Sequence, residues 1–110
     1  MNPSKQKGTA FETALVRWLN DKCGVDAKRI VLHGNKDEGD IDAGPFNIES
    51  KNCNALSLST WVKEAAVEST NAGKPVIVVA KRKGISDPGQ SYVITTLDMF
   101  MEMMSEGYGG

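Results

Sequence analysis

The run Val76-Ile77-Val78-Val79-Ala80 restricts the fold of this chain more than any other feature. Its apolar residues do not alternate with polar ones, and Gly73, Pro75 and Lys81 bound it. That is the pattern of a strand buried on both faces. A helical pattern from about Ser59 to Ala72 precedes it, and the strand-like segment Phe46–Lys51 lies before that. Strand, helix and strand in this order make a β-α-β crossover, expected to be right-handed with parallel strands. A mixed sheet with helices on its faces is the architecture that accommodates it.

The remaining segments fit around this unit. Phe11, Ala14, Leu15, Trp18 and Leu19 recur at helical spacing, so residues 9–22 read as a helix that Gly24 stops. Arg29–Leu32 and Asp40–Ala43 read as short strands, the second forming a hairpin with 46–51 through Ala43-Gly44-Pro45. Tyr92–Thr95 reads as a strand after a turn over Ser86–Gln90, and Leu97–Met104 as a closing helix. The expected fold is α/β, in the order α-β-β-β-α-β-β-α: a small mixed sheet flanked by helices. Residues 1–106 form one domain and 107–110 a flexible tail.

Composition sets broad limits. With 110 residues, 40% hydrophobic and 25% charged, the chain suits one ordinary globular domain. It has no apolar run long enough for a membrane span, so no membrane partner is expected. A basic start leading into an amphipathic helix is not the pattern of a signal peptide. Cys23 and Cys53 have neither metal-type spacing nor a disulfide framework, which points to reduced thiols and a cytoplasmic setting. The net charge of −1 weighs mildly against nucleic-acid binding, but charge is unevenly spread. Lys5 and Lys7 lie at the start and Lys81-Arg82-Lys83 form a cluster, while acids concentrate between Asp37 and Glu49.

That acidic segment carries the chemistry. Strand side chains alternate faces, so Glu49 and Lys51 share one face and Ser50 takes the other. Asp40 and Asp42 likewise share a face, and the hairpin brings acids and a lysine toward one patch. Phosphodiester hydrolysis calls for such a set. Magnesium binds through one or two carboxylates plus waters and phosphate, and a lysine stabilises developing negative charge. Asp40 (or Asp42), Glu49 and Lys51 supply these groups, with the Ser50 carbonyl between the last two as a further ligand. Periodicity does not choose between Asp40 and Asp42. The bland reading of Glu-x-Lys on a strand is a solvated face.

Gly39-Asp40-Ile41 followed by Glu49-Ser50-Lys51 resembles the motif of the PD-(D/E)XK nuclease superfamily, with glycine in place of the proline. Lys7-Gly8-Thr9-Ala10-Phe11-Glu12 resembles the helix opening of archaeal-type Holliday junction resolvases, and Gly34–Asp40 looks like phage-encoded members. The likeness covers about residues 5–80. It implies a restriction-endonuclease-like fold and a magnesium-dependent endonuclease that resolves four-way DNA junctions as a homodimer, with manganese as a substitute. It selects Asp40 over Asp42 and adds Glu12 to the metal site. By sequence alone, Thr9-x-x-Glu12 also fits a capping box, in which Glu12 bonds back to the helix start.

His33, Asn35 and Lys36 occupy the loop that lies near the catalytic centre in the resembled resolvases, where they would touch phosphate. His33 also reads as an incidental loop histidine. Lys5, Lys7, Lys81, Arg82 and Lys83 are further candidates for DNA contact, although basic turns also serve solubility. On the second helix, Trp61, Val62, Ala65, Ala66 and Ser69 form a small-residue core stripe, leaving Lys63, Glu64 and Glu68 facing solvent. The methionines around Phe100 suggest a dimer contact. Two rival functions remain: a nuclease of the same fold acting on flaps, single strands or duplex, and a non-catalytic nucleic-acid-binding module.

Overall fold

The computed structural model describes residues 3–32 and 34–108, with side chains from 6 to 105 apart from position 33. Helix α1 (Pro3–Cys23) leads to β1 (Lys28–Arg29), β2 (Ile41–Asp42) and β3 (Asn47–Lys51). Helix α2 (Leu58–Ala72), β4 (Val76–Ala80), a 3₁₀ turn (Pro88–Gln90), β5 (Tyr92–Ile94) and α3 (Leu97–Tyr108) follow. The five strands form one mixed sheet in the order β1-β2-β3-β4-β5. β3 and β4 are its parallel pair, and the other neighbours are antiparallel.

Parity along β4 explains the layering. Ile77 and Val79 face α1, joining Phe11, Leu15, Leu19, Ile41 and Ile48 in one buried cluster. Val76, Val78 and Ala80 face α2 and pack with Trp61 and Ala65 in a second. All five β4 residues are buried, as the unbroken apolar run requires. β3 has the same alternation in register: Glu49 lies beside Val78, Ser50 beside Val79 and Lys51 beside Ala80. Glu49 and Lys51 therefore stand on the α2 face and Ser50 on the α1 face.

Several boundaries differ from the sequence reading. Helix α1 begins at Pro3 and not at Thr9, a first-turn position where proline's missing N–H costs nothing. Thr9 is consequently interior, its carbonyl accepting from the Thr13 hydroxyl at 3.0 Å, and no capping box forms. β1 stops at Arg29, short of the expected Leu32, and leaves Val31 and Leu32 exposed on the sheet's outer edge. Only Ile30 continues the pairing, through its N–H to Asp40 O. α3 runs on to Tyr108, two residues into the expected tail, while Gly109 and Gly110 lie outside the described residues. Among the described residues, no helix is long and apolar enough to cross a membrane.

The core stripe of α2 also needs correction. Its buried positions are Trp61, Ala65 and Glu68, at i, i+4 and i+7. Ala66 is exposed, and Glu68, expected in solvent, is 4% exposed. Gly73 ends the helix in the left-handed conformation, φ 71°, with its N–H on Ser69 O.

Candidate functional site

The site starts where β2 and β3 part. Asp40 N–H donates to Ile48 O at 2.8 Å, the last backbone bond of that ladder. The next β3 donor on this edge, Ser50 N–H, would be orphaned. The Asp40 carboxylate takes it: Oδ2 accepts Ser50 N–H at 2.8 Å and the Ser50 hydroxyl at 3.0 Å. Gly39 makes this entry possible, since its φ is 101° and a Cβ would lie 3.1 Å from Ile48 O. The glycine of Gly39-Asp40-Ile41 is thus a backbone requirement.

Asp42 has a different occupation. Its Oδ1 accepts Gly44 N–H at 2.8 Å and Lys74 Nζ at 2.9 Å, which ties the hairpin to the end of α2. The Gly44 hydrogen bond, then Lys74, hold its carboxyl below the usual value. Asp42 is thus engaged within the hairpin and with Lys74, while Asp40 bonds to Ser50 of β3.

On the α2 face of β3, Glu49 is 9% exposed and lies 3.4 Å, through Oε2, from Lys51 Nζ. Lys51 Nζ makes a closer pair with Glu64 Oε2 of α2, at 2.9 Å, and stands over the Trp61 ring. Burial would lower the Lys51 pKa, but Glu64 and Glu49 outweigh it and hold the ammonium above its ordinary value. Behind Glu49 lie Glu68 and Asp37, and one carboxylate oxygen from each of the three falls within 4.8 Å of the others. Burial first, then the Asp40 charge, push Glu49 up to about 7. Burial, then the charges of Glu49, Asp37 and Asp40, push Glu68 up to about 9. Glu49 Oε1 and Glu68 Oε1 are buried without a hydrogen-bond partner among the described residues.

No protein-family model, curated protein or solved structure matches this chain.

The four residues expected to carry catalysis come from α1, the loop before β2, and β3. Glu49 and Lys51 are together on the α2 face. Glu12, on helix α1, senses Asp40 and Ser50: burial and the Asp40 charge raise its pKa, while Arg29 and a Ser50 hydrogen bond pull the other way. Arg29 Nη2 lies 3.4 Å from Glu12 Oε2. Asp40, at the parting of the strands, acts electrostatically on both groups.

At the end of β3 a cleft of about 430 Å³ is lined by Lys7, Gly8 and Ser50 through Asn54. Asn52 Nδ2 holds its rim by donating to Lys7 O at 3.3 Å. Lys81 N–H donates to Lys51 O at 2.9 Å, so the Lys81-Arg82-Lys83 turn leaves the sheet beside Lys51. Arg82 stacks over Tyr92 at 5.4 Å. Asn35 and Lys36 are exposed in the loop leading to Asp37. His33 and the Lys5 side chain lie outside the described residues. A larger concavity of about 550 Å³, between α1 and β1, is bordered by Arg17, Asp21, Lys28 and Arg29. Both cysteines are free and exposed.

The sequence reading missed Asp37 and Glu68. Glu68 lies seven residues after Trp61, on the buried stripe, and that spacing is the signal that marks it. Asp37 had no such signal, because a loop has no period.

Proposed function

We propose that this protein is a magnesium-dependent endodeoxyribonuclease that resolves four-way DNA junctions, with the restriction-endonuclease-like fold of the PD-(D/E)XK nucleases. One observation carries the reading. Glu49, a buried carboxylate with one oxygen unpartnered among the described residues, stands beside Lys51, an ammonium held charged that lines a cleft together with Lys7. The order α1-β1-β2-β3-α2-β4-β5-α3 supports it, being the one the resemblance implies.

The donor set fits a hard cation. Magnesium prefers carboxylate oxygens, and unpartnered buried oxygens are what such an ion satisfies. Glu49 would hold it, with Asp40, which the resemblance selects, Glu12, which it adds, and manganese as a substitute. When bound, the ion neutralises phosphate charge and lowers the pKa of a water.

The chain's own residues do the rest. Lys51, kept protonated by Glu64 and Glu49, offers positive charge to the phosphoryl oxygens as negative charge builds on them. A lysine in that state donates and does not accept a proton near neutral pH. Ser50 fixes Asp40 through two hydrogen bonds, so that this acid keeps its place when substrate arrives. Lys7, Lys81, Arg82 and Lys83 would meet backbone phosphates around the cleft, and Asn35 and Lys36 would meet them near Asp37. Binding of this kind reads shape and charge and weakens steeply with salt. Paired cuts across a junction call for a twofold homodimer.

The test is cleavage of a synthetic four-way junction by the purified protein with Mg²⁺, with flap, duplex and single-strand substrates in the same assay. Junction cutting that EDTA abolishes and Glu49→Gln removes is the expected result. Linear duplex cut as fast as the junction would overturn the junction assignment. No cutting of any substrate, or full activity in Glu49→Gln, would overturn the nuclease reading.

A further inference from the structure

We infer that Asp37, Glu49 and Glu68 together form a divalent-cation position, in which a loop and helix α2 complete what β3 begins. This rests on the reading of Glu49 as a cation ligand and extends it to two residues that the family resemblance does not assign.

The three acids come from separate elements, and one carboxylate oxygen from each lies within 4.8 Å of the others. Their closeness is built. Asn71 Nδ2 of α2 donates to Asp37 O at 2.8 Å, and Gly39 N–H to Asp37 Oδ1 at 2.9 Å, which fixes the loop against the helix. Glu68 occupies a core position of α2, one turn from Ala65.

A second observation points to a ligand. Glu49 and Glu68 are 9% and 4% exposed, and each keeps Oε1 without a hydrogen-bond partner among the described residues. The two oxygens of Glu49 differ: Oε2 faces Lys51, and Oε1 has no partner among the described residues. Asn47, on the same face of β3, also keeps its Oδ1 unpartnered while its Nδ2 donates to Glu38 O. Among the described residues, no ion pair reaches Asp37 or Glu68. Buried acids at this spacing need a positive partner or protons. Oxygen-only donors select magnesium or manganese over zinc and copper, which favour nitrogen and sulfur.

The experiment uses the full chain without DNA. Mn²⁺ is titrated in by calorimetry, and the free ion is followed by electron paramagnetic resonance, for wild type, Glu68→Gln and Asp42→Asn. Gln keeps the shape of Glu68 and removes its charge. Expected are saturable binding by wild type, affinity lowered on the order of tenfold or more in Glu68→Gln, and no change in Asp42→Asn. Asp37→Asn, altering an exposed loop acid, gives the same readout if Glu68→Gln does not fold. Overturning results are no saturable binding by wild type, unchanged affinity in the Glu68 or Asp37 variant, or an equal loss in Asp42→Asn. Unchanged affinity with Mg²⁺-dependent junction cutting intact would end this inference and leave the nuclease. Weakened Mn²⁺ binding in a protein that cuts no DNA would end the nuclease and leave the cation site.

Discussion

Lys51 Nζ lies closer to Glu64 of the neighbouring helix, at 2.9 Å, than to Glu49 of its own strand, at 3.4 Å. The strand sets the face on which the ammonium emerges, and α2 sets where it points. Lys51 also stands over Trp61, so α2 contributes both a charge and an aromatic ring to its position.

Glu64 is therefore a positioning residue for Lys51. Glu64→Gln is expected to lower the cleavage rate about tenfold, against on the order of a hundredfold or more for Lys51→Met. Because Glu64 raises the Lys51 pKa, its loss also moves the alkaline limb of the pH–rate profile downward. A lowered rate without that movement would show that Glu64 acts otherwise.

The two aspartates of the hairpin should separate cleanly. Asp40→Asn is expected to cut cleavage by about a hundredfold or more, since it removes a charge that acts on both Glu12 and Glu49. Asp42→Asn should leave cleavage unchanged and cost less than about 1 kcal/mol in urea unfolding, because its pair with Lys74 is half-exposed. The reverse pattern would overturn the assignment of Asp40.

Metal-free protein should lose stability as pH rises. The folded state raises Glu49 from 4.5 to about 7 and Glu68 from 4.5 to about 9. Between the unfolded and folded values the native chain holds protons that the unfolded chain has released, so unfolding becomes easier with increasing pH. The cost is absent below about pH 4.5 and grows through the folded values. Thermal melts in EDTA should fall on the order of 5 °C or more between pH 5 and pH 9, and Glu68→Gln should flatten that slope. A melting temperature that rises over this range would contradict the burial of these acids.

Gly39→Ala tests the backbone under the motif. At φ 101°, with a Cβ 3.1 Å from Ile48 O, alanine should cost about 1–3 kcal/mol in chemical denaturation. Cleavage should fall with it, because the neighbouring Asp40 carboxylate depends on that entry angle to reach Ser50. An unchanged denaturation midpoint would mean the loop relaxes freely.

Much of the architecture was legible because periodicity reports burial. The unbroken apolar run 76–80 gave β4 to the residue, and the turn signals Gly73 and Pro75 gave the end of α2. Boundaries governed by pairing were less legible. β1 keeps only two residues because its sole partner, β2, is itself two residues long and leads away into the Gly39 loop. The reach of α1 back to Pro3 was missed because the residues before Thr9 have no apolar stripe.

The sequence alone determined that Glu49 and Lys51 share a face, since alternation along an extended strand leaves no other arrangement. It also placed an acid at the mouth of the hairpin. Only the tertiary structure shows what each of the two acids, Asp40 and Asp42, touches. Asp40 bonds to β3 because the N–H of Ser50 loses its strand partner where the two strands part. The meeting of Glu68 with Glu49 and Asp37 was likewise a tertiary matter. It depends on the angular setting of α2 over the sheet, and local pattern does not encode how one element is rotated against another.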